Sequence, residues 1–171
     1  MIVDTGVIYA DIDRTDDWHA PAAELLSTAP GPLRVPALVI TEVCYLLETR
    51  LGPVAEADFL AALSRHDFDP IPLTSGDYTR AAELVRKYAD FPLGAVDASV
   101  IAVAERLGDL EVATTDRRHS SVAGVVLYSV HLQHDTLTAG KEEQKIHTEP
   151  QQRVSAAHLD SFWVPMQPDF G

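Results

Sequence analysis

Glu111-Val112-Ala113-Thr114-Thr115-Asp116 is a short β-rich run that ends in an acid. It follows an apolar helical pattern from about Val96 to Leu107, closed by Gly108. Working back toward the N-terminus, the same alternation repeats. Thr74 or Ser75 caps a helical stretch running to about Ala89, and Pro53 opens another that reaches Arg65. A third, from about Leu38 to Arg50, stops before Gly52, and a fourth covers Trp18 to Ser27. Between them lie the strand-like runs Leu33-Arg34-Val35 and Phe68-Asp69-Pro70-Ile71-Pro72-Leu73. The prolines make the latter an irregular or edge strand. At the start, Met1-Ile2-Val3 is a further strand ending at Asp4, and a polar loop lies near Asp11 to Asp17. Strands alternating with helices predict an α/β domain with a mostly parallel sheet flanked by helices.

A chain of 171 residues suits one domain with a real core. Its 46% hydrophobic and 23% charged content excludes wholesale disorder. The single cysteine, Cys44, sits in an apolar helical run, which excludes a disulfide scaffold and suits a reducing compartment. No apolar run approaches the roughly 18 residues of a membrane span, and the first residues lack a signal-peptide pattern. The expectation is a cytoplasmic protein with no membrane role. The net charge of −13 excludes a broad basic face for polyanions. A nucleic-acid enzyme remains open, because carboxylates gathered around divalent metals also count as negative.

Four acids occupy unusual places. Glu42 shares a helix face with Val39, Val43, Leu46 and Leu47. Asp97 lies three residues before Val100 and four before Ile101, on the packed side of its helix. Asp4 and Asp116 stand just past strand ends, where open parallel sheets place their ligand crevices. Gathered on one rim, four carboxylates would repel one another, and Mg²⁺ or Mn²⁺ would relieve that repulsion. Such a site suits phosphodiester hydrolysis without a side-chain nucleophile. Each acid also has an ordinary reading: Asp4 as a turn residue, Asp97 as a helix cap, Glu42 as an arginine partner, Asp116 as part of a charged loop.

Beyond residue 120 the composition changes. Every glutamine lies there, together with Lys141-Glu142-Glu143-Gln144-Lys145. The expected organisation is a catalytic domain over 1–129, an exposed or disordered insertion over 130–153, and a terminal strand and tail over 154–171. His131, His134 and His147 have zinc-compatible spacing, but without cysteine partners they read as solvent-exposed histidines rather than as a metal site. Trp18 and Tyr78 read as base-stacking or as core aromatics.

Four segments in order resemble PIN-domain ribonucleases, in particular the toxins of VapBC-type toxin–antitoxin pairs. They are Ile2-Val3-Asp4-Thr5, Pro36-Ala37-Leu38-Val39-Ile40-Thr41-Glu42-Val43, Leu93-Gly94-Ala95-Val96-Asp97-Ala98 and Thr114-Thr115-Asp116-Arg117-Arg118-His119. The resemblance implies a single PIN-like domain and metal-dependent endonucleolytic cleavage of RNA. It further implies neutralisation by a small cognate antitoxin, and a homodimer. By position, Asp4, Glu42, Asp97 and Asp116 match the family's catalytic and metal-binding acids. The resemblance makes Asp4 and Asp97 the surest ligands of Mg²⁺ or Mn²⁺, with Glu42 completing the pocket and Asp116 holding a weaker second ion. Thr5 would support the pocket or touch substrate, and Arg117 or Arg118 would contact a phosphate or an antitoxin carboxylate. The stretch after His119 departs from the family pattern.

Other classes fit less well. A haloacid-dehalogenase-like phosphatase needs an acid two residues after Asp4, where Gly6 stands. A receiver domain needs a lysine at a late strand end, and Lys87, Lys141 and Lys145 lie elsewhere. A catalytically inert, antitoxin-binding PIN-like module is the alternative of a different kind.

Overall fold

Among the described residues, pairs of helices separate the first four strands, and a fifth strand follows. The computed structural model describes residues 1–90, 93–116 and 126–129. The elements are β1 (Ile2–Val3), α1 (Thr5–Ile12), α2 (His19–Thr28), β2 (Arg34–Pro36), α3 (Ala37–Arg50) and α4 (Pro53–Ser64). They continue with β3 (Asp69–Ile71), α5 (Ser75–Lys87), α6 (Ala95–Leu107), β4 (Glu111–Thr114) and β5 (Val126–Ser129). The strand order is β3-β2-β1-β4-β5, with every pairing parallel. The chain therefore winds outward from β1 through β2 to the β3 edge. It then crosses back to build β4 and β5 on the other side. The reversal falls between β1 and β4, which is where such sheets open a crevice.

Burial follows the alternation of apolar runs. Ile2, Val3, Val35, Val112 and Ala113 fill the sheet, and Val7, Ile8, Val39, Val43 and Leu47 cover it from α1 and α3. Helix α6 is buried continuously from Ala98 to Ala104, as its small residues allow a close approach on every side. Gly108 ends it in the left-handed conformation. Thr74 caps α5 by accepting the Asp77 N–H, while the Asp77 carboxylate accepts the Thr74 N–H, a reciprocal capping box.

The helices from Trp18, Leu38, Pro53, Thr74 and Val96 form within a residue or two of their expected positions, and β3 is an edge strand. Two elements depart from the sequence reading. Thr5–Ile12 carries β-branched residues, Gly6 and Tyr9, with no helical signature in the sequence, yet it folds as α1. Burial of Val7, Ile8 and Ala10 against the sheet overrides weak propensity. The strand β5 is an addition at Val126–Ser129. The proposed insertion at 130–153 and terminal strand at 154–171 lie outside the described residues, as do His131, His134 and His147.

Candidate functional site

The β1–β4 register places the first two acids. Ile2 pairs with Val112 and Val3 with Ala113. The Asp4 N–H continues the ladder by donating to the Ala113 carbonyl at 3.0 Å, so Asp4 stands level with Thr114. The chain turns from β1 directly into α1, with Asp4 as N-cap. This is an ordinary capping role, and it also puts the carboxylate at the positive end of a helix.

Three of the four acids join one hydrogen-bonded chain. The Thr5 N–H donates to Asp4 Oδ1 at 2.8 Å, and the buried Thr5 hydroxyl donates to Glu42 Oε2 at 2.5 Å. On the other side, the Thr114 hydroxyl donates to Asp4 Oδ2 at 2.8 Å and accepts the Asp116 N–H at 3.0 Å. The order is Glu42–Thr5–Asp4–Thr114–Asp116. Glu42 reaches the rim because α3 buries Val39, Val43 and Leu47 and leaves Glu42 half-buried beside them. Thr5 spends its single hydroxyl proton on Glu42.

Asp97 is the third residue of α6 and half-buried. Its Oδ2 accepts the Gly94 N–H at 3.0 Å, the capping role that its place near the helix start allowed. Two of the acids, Asp4 and Asp97, thus lie in the first turns of helices whose dipoles favour negative charge. Arg117 and Arg118 lie outside the described residues.

The four candidate donors are all carboxylates, the chemistry that hard cations such as Mg²⁺ and Mn²⁺ take. Among the described residues, no three His, Cys, Asp or Glu side chains come close enough together to hold a metal ion. Asp4, Glu42 and Asp97 instead accept hydrogen bonds from adjacent N–H and hydroxyl donors.

Two residues of the rim have no acidic signature in the sequence. Thr114 is 2% exposed and bridges Asp4 to Asp116. Gly6 is the other: a Cβ there would overlap the Thr115 hydroxyl. Its lack of a side chain lets the first turn of α1 press against the end of β4. In the sequence Gly6 stands out only as the missing second acid of a phosphatase, and nothing local marks its close approach to β4.

Comparison with known proteins places this geometry. The PIN domain family model matches residues 1–125. Ribonuclease VapC26 of Mycobacterium tuberculosis is 32% identical over 121 residues, covering 71% of this chain and 90% of that protein. Among solved structures, VapC20 of Mycobacterium tuberculosis, described as a sarcin–ricin loop cleaving toxin, superposes with a TM-score of 0.66 at 22% identity. That match covers 71% of this chain and 94% of VapC20. FitAcB of Neisseria gonorrhoeae superposes with a TM-score of 0.60 at 20% identity, over 77% of this chain and 99% of its own. A toxin–antitoxin complex from Klebsiella pneumoniae gives a TM-score of 0.59 at 21% identity, over 76% of this chain and 97% of its own.

Proposed function

This chain belongs to the PIN domain family, and from that premise we propose that it is a divalent-metal-dependent endoribonuclease toxin, held in check by a small cognate antitoxin. The observation that carries the reading is the run Glu42–Thr5–Asp4–Thr114 at the sheet's reversal point, which the backbone N–H of Asp116 joins at Thr114. Its relative VapC26 is named a ribonuclease, which supports RNA as the substrate class.

In this reading Asp4, Glu42, Asp97 and Asp116 would have to draw together around the metal, since among the described residues no three stand close enough to hold one, and Asp4 and Asp97 would be its principal ligands. Mg²⁺ or Mn²⁺, when bound, supplies the Lewis acidity that makes water a competent nucleophile and offsets charge on the scissile phosphate. The protein's part is orientation. Thr5 holds Glu42 and Asp4 in one arrangement, and Gly6 keeps the rim closed against Thr115. Arg117, next to Asp116 in the chain, contacts the RNA phosphate or an antitoxin carboxylate. The catalytic unit is residues 1–129, working in the cytoplasm as a homodimer. Among the described residues no helix is long and apolar enough to cross a membrane.

Induction of the full chain in bacterial cells, beside Asp97→Asn, tests the proposal. Growth arrest with discrete new RNA 5′ ends, absent in the variant, is the expected result. Folded protein that arrests nothing, cuts no RNA with added Mg²⁺ or Mn²⁺, and still captures a small antitoxin would replace the enzyme by the inert binding module.

A further inference from the structure

We propose, on the endoribonuclease reading above, that the groove between α5 and the first turns of α3 and α6 is a nucleotide subsite on the RNA path. Tyr78 stacks there on an unpaired base, and Arg86 meets a neighbouring phosphate.

Of the two aromatics that read as stacking or core, Trp18 is partly buried against the core, whereas Tyr78 is 57% exposed. Tyr78, Ala81, Ala82 and Val85 recur at helical spacing, so α5 turns one face of small residues into the groove, with Arg86 at the far end. Leu38 and Ala95 close it from α3 and α6. Leu38 stands one helical turn before Glu42, and Ala95 two residues before Asp97, so the groove adjoins the helices that carry two of the four acids. Its volume of about 380 Å³ is that of a small-molecule site. The alanines leave a flat apolar floor that suits the face of a base, and every base has such a face. Tyr78 and Arg86 lie about 12 Å apart along the helix axis, the reach of a nucleotide with its flanking phosphates.

Charge selects the occupant. No acid lines the groove. Arg86 is exposed and joins none of the ion pairs among the described residues. A single strand, with apolar base faces and an anionic backbone, complements that surface. Local stacking also lets a chain of net charge −13 bind RNA without a broad basic face. A second copy related by a two-fold axis would set this face against itself, with one Arg86 from each copy and no lining acid to receive either.

Tyr78→Ala, Tyr78→Trp, Arg86→Ala and Arg86→Lys test the subsite in the full chain. Three readouts are taken: binding of a short, randomised single-stranded RNA in EDTA at several salt concentrations, new RNA 5′ ends in induced cells, and oligomeric state by sedimentation. Tyr78→Ala is expected to weaken binding by about tenfold. Tyr78→Trp is expected to preserve it, with the added indole fluorescence quenched by RNA. Arg86→Ala is expected to reduce the slope of log K against log salt by about 0.7, and Arg86→Lys to keep it. Both alanine variants should cut more slowly in cells with the oligomeric state unchanged. If Tyr78→Ala unfolds, Tyr78→Gln, a good helix former, takes its place. Folded Tyr78→Ala and Arg86→Ala proteins that bind and cut RNA like the parent overturn the subsite alone. Variants that lose RNA only because they fall to a smaller oligomer give the groove to a second copy and overturn it too. A parent that binds no RNA and makes no new ends overturns the endoribonuclease reading together with the subsite.

Discussion

Acids in two different settings lie near the two ends of helix α6 and beside the β1–α1 turn. At its C-terminal end, Asp77 of α5 is 2% exposed and accepts the Arg106 guanidinium at 2.9 Å. Alongside it, Arg80 of α5 pairs with Glu105 at 2.8 Å and with Glu83 at 3.1 Å. At the N-terminal end, Asp97 accepts a backbone N–H, and where β1 turns into α1 Asp4 and Glu42 accept bonds from threonines. A guanidinium cancels the charge it meets. A hydroxyl or amide orients a carboxylate and leaves its charge in place. The first arrangement fastens helix to helix, and the second orients carboxylates that the proposed function assigns to a cation.

The largest effect expected from that difference is on catalysis. Asp4→Asn or Asp97→Asn keeps size and most hydrogen bonding but removes the charge. Cleavage should fall to background while the thermal midpoint stays close to the parent's. A neutral variant that cuts RNA at the same sites would break the distinction between the two ends.

Next in size is the seam. Arg106→Met leaves the Asp77 carboxylate buried beside an apolar chain. Loss of one partner of a fully buried pair costs about 3–5 kcal/mol, and the one-third exposure of Arg106 reduces this to about 2 kcal/mol. Denaturant melts should show that loss, with the specific activity of the folded fraction unchanged. Gly6→Ala should do the opposite. Relieving its overlap with Thr115 costs about 1–3 kcal/mol, and activity should fall further than stability, because the displaced groups flank Asp4 and Thr114.

The smallest effect is a change in acid sensitivity. Burial by itself pushes the Asp77 carboxyl up, but hydrogen bonds from Thr74 and Arg106 outweigh it and hold the group below its ordinary value of 3.8. Asp109 behaves alike: burial is outweighed by bonds from the N-terminal amine and Arg34. A carboxyl depressed in the folded state contributes stability that is complete above 3.8 and lost as pH falls through its folded value. Arg106→Met should therefore flatten the acid limb of a stability–pH curve below about pH 4, with its full deficit visible at neutral pH. A parallel shift at all pH values would show that Asp77 owes nothing to the guanidinium.

Much of this molecule is legible without its structure. The helices α3 to α6 declare themselves through apolar spacing, Pro53, Thr74, Gly52 and Gly108, and the prolines around Ile71 mark an edge strand. Helix α1 does not, because Thr5 to Ala10 has the composition of a strand and becomes helical only by packing. The acids were legible as positions, since Glu42 and Asp97 interrupt apolar helix faces and Asp4 and Asp116 end strands. Their ordinary roles were equally legible, and Asp4 and Asp97 do cap helices.

The amino-acid sequence by itself determined which carboxylates stand at strand ends and helix starts, because periodicity and turn chemistry act over a few residues. Only the tertiary structure decided how they connect. Strand register sets Asp4 against Thr114, 110 residues apart, and helix packing brings Thr5 to Glu42, 37 residues apart. Such contacts depend on the pairing of distant segments, whose geometry is established by the sheet and its buried core and leaves no local pattern in the chain.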